Sequence, residues 1–111
     1  MEAKERIARR VALEFKNGDY ANLGIGIPTQ VANYLPDGVS IMLESENGFL
    51  GVGAAPGPGE EDKDIVNAGG QPVTMQKGAA CFDSATSFGI IRGGHLSTTV
   101  LGALEVDEKG N

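Results

Sequence analysis

The stretch Val39-Ser40-Ile41-Met42-Leu43-Glu44-Ser45-Glu46-Asn47-Gly48 decides the fold. Its first half is β-branched and apolar, the composition of a central strand. Its second half sets two carboxylates where that strand ends and a glycine-rich loop, opening with Phe49-Leu50-Gly51, begins. If the strand stays extended to residue 46, Glu44 and Glu46 share a face. Two like charges so close raise the pKa of at least one of them. Asn47-Gly48 forces a turn, which holds Glu46 up at the strand's carboxyl end, where open α/β sheets bind ligands. Glu46 is therefore the leading catalytic candidate.

Working outward, residues 2–17 read as a helix. Ile7, Val11 and Phe15 recur every fourth residue with Ala8 and Ala12 on the same stripe, and Asn17-Gly18 is a stop signal. Residues 20–24 suit a first strand. Pro28 opens a short helix to Leu35, and Pro36-Asp37-Gly38 makes a turn. Helix, strand, helix, strand begins a parallel α/β sheet. Beyond the central stretch, residues 51–63 read as a long loop rich in glycine, proline and acid. Val73-Thr74-Met75 is a candidate third strand. A helix runs from Asp83-Ser84 to Ile91, and Ser97–Leu104 is a buried strand.

Composition limits what such a chain can be. Its 111 residues suit one domain, 1–111. No apolar run is long enough for a transmembrane helix, and the charged N-terminus is unlike a signal peptide. The net charge of -6 excludes the basic face that nucleic-acid binding needs. The single Cys81 forms no internal disulfide and belongs to no metal-ligand spacing, so no metal site is expected. Its setting, Ala79-Ala80-Cys81-Phe82, suggests inert packing. The simplest compartment is the cytoplasm. The acidic run Glu60-Glu61-Asp62 reads as a solvated loop, and His95, the only histidine, as a turn or core residue.

The loop Gly24-Ile25-Gly26-Ile27-Pro28 admits three readings. It is a plain turn, a ligand-facing loop whose amides stabilise an oxyanion, or part of a nicotinamide-dinucleotide fingerprint. The last wants an acidic residue about twenty positions on, where Glu44 stands, and a third glycine at position 29, where this chain has Thr29.

Several motifs together carry a resemblance. Ser45-Glu46-Asn47-Gly48 with Phe49-Leu50-Gly51 is similar to the signature of the B-type subunit of 3-oxoacid (acetate/butyrate–acetoacetate) coenzyme A-transferases. Asn22-Leu23-Gly24-Ile25-Gly26-Ile27-Pro28-Thr29 resembles that family's first loop, and Val66-Asn67-Ala68-Gly69-Gly70 its middle loop. Phe82-Asp83-Ser84, Ser87-Phe88 and Ile91-Arg92-Gly93-Gly94-His95 resemble its next segment, and Leu101-Gly102-Ala103 the strand after it. Two departures stand out. Glu44 occupies a position where the family has glutamine or histidine. The chain also resembles only the N-terminal half of such a subunit, without a Gly-Gly loop that the family uses at its oxyanion site.

The resemblance implies a three-layer α/β/α open, mostly parallel sheet of the NagB/RpiA/CoA-transferase-like type, incomplete in this chain. It implies ping-pong transfer of coenzyme A between an acyl-CoA and a short-chain carboxylic or 3-oxo acid, through a glutamyl-CoA thioester on Glu46. Gly24, Gly26, Asn47 and Gly48 are the implied substrate or oxyanion-loop residues. An A-type partner subunit is implied, and no cofactor, since the CoA thioester is a substrate. The alternatives are a non-catalytic subunit fragment and a dinucleotide-binding domain.

Overall fold

A computed structural model describes residues 1–111. In chain order the elements are α1 (Ala3–Ala12), β1 (Tyr20–Leu23), a 3₁₀ helix (Ile27–Tyr34), β2 (Met42–Ser45), β3 (Phe49–Val52), β4 (Met75–Cys81), α2 (Ser84–Arg92) and β5 (Thr98–Val100). The strands form one sheet in the order β4-β3-β2-β1-β5. β1 lies between β2 and β5, parallel to both, whereas β2–β3 and β3–β4 are antiparallel. The α/β class is as expected, and the sheet is mixed.

Alternation along β1 explains the layers. Ala21 and Leu23 turn to one face with their neighbours Leu43 and Val100, and there they meet Ala8, Ala12, Phe15, Val31 and Ile41. Ala8 and Ala12, both fully buried, let α1 approach closely, and the fully buried Val31 anchors the 3₁₀ helix beside it. Each large apolar side chain buried here contributes about 2 kcal/mol. Asn22 and Glu44, in register on adjacent strands, turn to the opposite face, where Ser87 of α2 meets Glu44. The apolar core thus covers one face, and the other is polar around one helix.

Several boundaries differ from the sequence reading. The first helix stops at Ala12, and i→i−3 bonds from Leu13, Glu14 and Phe15 tighten the chain so that Phe15 enters the core from outside the helix. Ile7 is 50% exposed, so the inward stripe is Ala8 and Ala12 with Val11 packed beside them, and Ile7 lies outside it. The second helix is 3₁₀ in form. The central strand is displaced toward its carboxylates: Met42–Ser45 pairs, and Val39–Ile41 leads into it.

The largest corrections lie beyond the turn. Phe49–Val52, read as the start of a loop, is a paired strand. The expected strand at 73–75 begins only at Met75 and runs to Cys81. Cys81 is consequently on an edge strand and exposed, with its Sγ 3.9 Å from Met75 Sδ, rather than packed inside. The last strand is short, and Leu101, Leu104 and Val106 beyond it are exposed. His95 is an exposed turn residue. No helix is long and apolar enough to cross a membrane.

Candidate active site

Glu46 opens the turn Glu46-Asn47-Gly48 between β2 and β3, after Ser45 has paired with Phe49. Gly48 is the reason the chain can turn here. Its φ is +133°, a region that L side chains rarely adopt, and a Cβ on it would lie 2.3 Å from the carbonyl oxygen of Phe82. The Gly48 amide donates to Ser45 O at 3.0 Å, and its carbonyl accepts from Phe82 N at 2.9 Å. Gly48 therefore shapes the turn and ties it to the end of β4, with its own amide already engaged.

Ser45 and Asn47 fix the other side. Ser45 Oγ donates to Asn47 Oδ1 and accepts from Ala68 N at 3.2 Å, while Asn47 Nδ2 donates to Val66 O at 2.8 Å. The hairpin tip is thereby fastened to the loop 66–69. The Asn47 side chain is spent on this joint, and its main-chain N–H donates to nothing in the chain.

Glu46 itself is half-buried and forms no ion pair. Its Oε2 accepts from Asn22 Nδ2 at 2.8 Å, and the same nitrogen lies 3.3 Å from Glu44 O. Asn22 is buried in β1, so a neutral donor on a rigid strand orients the carboxylate. Glu46 faces an open cleft of about 1180 Å³, whose walls include Leu23, Ile25, Gly26, Leu43 and Gly69. The amides of Ile25 and Gly26 donate to no group in the chain. The cleft thus combines an oriented carboxylate, uncommitted backbone donors and an apolar wall. Such a site suits nucleophilic attack on a carbonyl carbon followed by stabilisation of an oxyanion.

Gly24 plays a different part from Gly26. Its amide donates to Val100 O at 2.9 Å, extending the β1–β5 ladder, and that leaves no donor for a ligand. The structure brings Glu46 and Gly26 to the cleft, adds the Asn47 amide at the turn, and commits Gly24 and Gly48 to the scaffold.

Glu44 sits in a different environment from Glu46. It is 3% exposed, and its Oε1 accepts from Ser87 Oγ at 2.8 Å. Burial pushes its carboxyl above the ordinary range, the Ser87 bond partly offsets this, and the charge of Glu46 adds to the rise. A carboxylate turned into α2 cannot hold a ribose, and a 3₁₀ helix rather than an α-helix follows the glycine loop. Both facts remove the dinucleotide reading. No group of acidic, cysteine or histidine side chains is arranged to hold a metal ion.

Three contributors were not assigned roles from sequence: Asn22, Ser87 and the Val66–Gly69 loop. All three stood inside motifs that carried the resemblance, but spacing gives no sign that Asn22 meets a carboxylate 24 positions later or that Ser87 meets one 43 positions earlier.

The family model described as coenzyme A transferase matches residues 4–111. The chain is 60% identical over all its residues to the beta subunit of the acetate CoA-transferase of Escherichia coli, covering 50% of that protein. It is 53% identical to the B-type subunit of the probable succinyl-CoA:3-ketoacid coenzyme A transferase of Bacillus subtilis, with 99% of this chain matched to 51% of that one. The chain therefore spans about half the length of these relatives. Among solved structures, an acyl-CoA transferase apoenzyme from Escherichia coli superposes with a TM-score of 0.66 at 24% identity, covering 99% of this chain and 19% of that one. That likeness concerns the fold.

Proposed function

We propose, because this chain belongs to the coenzyme A transferase family, that it supplies the nucleophile for moving coenzyme A between carboxylic acids. The observation that carries the proposal is the Glu46 carboxylate, held by Asn22 at the cleft and in no ion pair. With Oε2 anchored at 2.8 Å, Oε1 is the oxygen left to attack.

In the proposed sequence Glu46 Oε1 adds to the thioester carbonyl of an acyl-CoA. The tetrahedral oxyanion collapses, the carbon–sulfur bond breaks, and CoA leaves as its thiolate, giving an acyl-glutamyl anhydride. The thiolate attacks the Glu46 carbonyl carbon and expels the first acid as a carboxylate, leaving a glutamyl-CoA thioester. A second carboxylate reverses the steps and departs as the new acyl-CoA. Splitting the exchange in this way replaces one difficult displacement by several easier ones. The Ile25, Gly26 and Asn47 amides are the proposed oxyanion donors from this chain. The acyl group stays activated through every step, so the chemistry calls for no resident cofactor or metal.

Short-chain carboxylic or 3-oxo acids are the proposed substrates, consistent with the names of the relatives. An A-type subunit is the proposed partner, again from relatives named as beta or B-type subunits, and the cytoplasm is the proposed compartment. A second reading rests on the matched length: the chain binds its partner without turnover.

To separate them, the chain assembled with its A-type partner is incubated with acyl-CoA and reduced with borohydride or trapped with hydroxylamine. The peptide containing Glu46 should change mass, and Glu46→Ala should abolish both the change and the exchange of acids. An unmodified peptide together with full activity in Glu46→Ala would sink the assignment. Partner binding with neither labelling nor exchange would establish the second reading.

A further inference from the structure

The proposed chemistry makes no use of the most deeply buried acid in the chain. Glu44 is held between β1 and β3, in register with Asn22 on one side and Leu50 on the other. One carboxyl oxygen accepts the Ser87 hydroxyl proton at 2.8 Å, and Ser87 is fully buried. The other oxygen, Oε2, is buried with no hydrogen-bond partner. The Glu44 main-chain oxygen and Glu46 Oε2 are both within bonding distance of the same Asn22 nitrogen. The side chain and backbone of Glu44 thus connect helix α2 to the group that orients the proposed nucleophile.

The charged groups around Glu44 are few. β1 offers only Tyr20 as a titratable group, and β3 offers none. α2 contributes Arg92 at its last residue, and Arg92 is in no ion pair. Glu46, at the end of the same strand, carries the one charge that acts on Glu44, and it is of like sign. A buried carboxylate with one neutral donor, no cation and a like-charged neighbour is poorly stabilised. A neutral carboxyl in that place leaves only a neutral polar atom unpartnered, which costs far less.

We infer that Glu44 is a positioning residue that works as an uncharged acid, latching α2 to the strand that presents Glu46, and that activity falls as pH rises and this carboxyl ionises. The inference rests on the proposed transferase reading. In that chemistry the cleft holds a carboxylate nucleophile, a carboxylate substrate, a thiolate and two oxyanions in turn. A second fixed negative charge beside Glu46 opposes all of them. Burial, which raises the Glu44 carboxyl above its ordinary range, favours its uncharged form.

The sign follows from linkage. A carboxyl raised in the folded state contributes its full stability below its unfolded value, and that contribution is lost as pH rises through the folded value. Stability and activity should therefore decline together across that window in the wild type.

The test uses the enzyme assembled with its A-type partner, as wild type, Glu44→Gln and Glu44→Ala. Glutamine keeps an acceptor for Ser87 and has no proton to lose. Its kcat below the window in which wild type loses the proton should stay within about threefold of wild type, and its pH profile should lack the fall of kcat and of unfolding stability that follows in wild type as pH rises. Glu44→Ala should likewise lose the pH-dependent fall, but with lower kcat and lower stability at every pH, because the Ser87 contact is gone. In protein labelled with ¹³C at glutamate Cδ, one resonance absent from Glu44→Gln should titrate above the ordinary glutamate range. A fall of kcat with rising pH that is identical in wild type and Glu44→Gln, or a Glu44 resonance titrating in the ordinary range, overturns the inference. Absence of Glu46 labelling by acyl-CoA in the wild type overturns the transferase reading instead, and the inference with it.

Discussion

Gly48→Ala tests the geometry of the turn most sharply. The new Cβ would stand 2.3 Å from the Phe82 carbonyl oxygen, whereas real Cβ atoms essentially never come within 3.0 Å. The turn and the end of β4 must therefore part by about 0.7 Å. A non-glycine residue in so sparsely populated a backbone region costs about 1–3 kcal/mol. The displacement also strains the Phe82 N–Gly48 O hydrogen bond, 2.9 Å long, worth about 1 kcal/mol. Together these give about 2–4 kcal/mol, a large share of the stability of an ordinary domain.

Glu46 lies two residues from the strained position, and a shift near 1 Å at a reacting group can cost about 10²-fold in rate. Gly18→Ala is the matched control. Its φ is +89°, also outside the usual range, but no atom lies within 4 Å of the added carbon. It should carry the backbone strain of about 1–2 kcal/mol and leave the rate of Glu46 labelling unchanged. Urea unfolding of the two variants in the assembled enzyme, with trapping kinetics at Glu46, measures both effects. Equal destabilisation of the two, with unaltered labelling in Gly48→Ala, would refute the close approach as the reason for glycine.

Two further outcomes concern side chains that meet the turn or the helix beside it. Asn22→Ala should lower kcat by about 10²-fold, because Glu46 loses its orienting donor, with KM changed far less. Asn22→Asp should lose more at neutral pH and recover part of the loss as pH falls and one of the paired carboxyls takes a proton; steady-state kinetics across pH reads both. Asp83 caps α2 by accepting from Thr86 N at 2.7 Å, and that bond holds its carboxyl below the usual range. The cap's contribution should be present above the ordinary aspartate range and vanish as pH falls through the lowered value. Hydrogen exchange at the Thr86 amide, fast in Asp83→Ala and slow in Asp83→Asn, checks it.

The alternation of helix and strand, the helix start at Asp83-Ser84 and the turn after Ser45 were legible because each depends on residues within a few positions. The family resemblance was legible for a related reason: several short motifs occur in order along one chain. The hairpin was not. Phe49-Leu50-Gly51-Val52 carries a glycine and precedes a proline-rich loop, so local preference argues against a strand, and pairing with β2 and β4 supplies what preference lacks. Of the α1 stripe read from sequence only Ile7 fails to reach the core, because periodicity cannot tell which edge of the stripe meets the neighbouring element; close approach to the 3₁₀ helix favours Ala8 and Ala12.

At the site, the sequence by itself determined the nucleophile candidate and the turn that presents it. Only the tertiary structure separated the two glutamates, burying Glu44 against Ser87 and leaving Glu46 at the cleft under Asn22. It also took the Gly24 amide into the sheet and fastened the hairpin tip to the loop 66–69. The reason is one of range. Turn geometry and strand composition are set by neighbours in sequence. A carboxylate's charge, exposure and orientation are set by strands and helices that lie far from it along the chain, as Asn22 lies 24 positions from Glu46 and Ser87 lies 43 from Glu44.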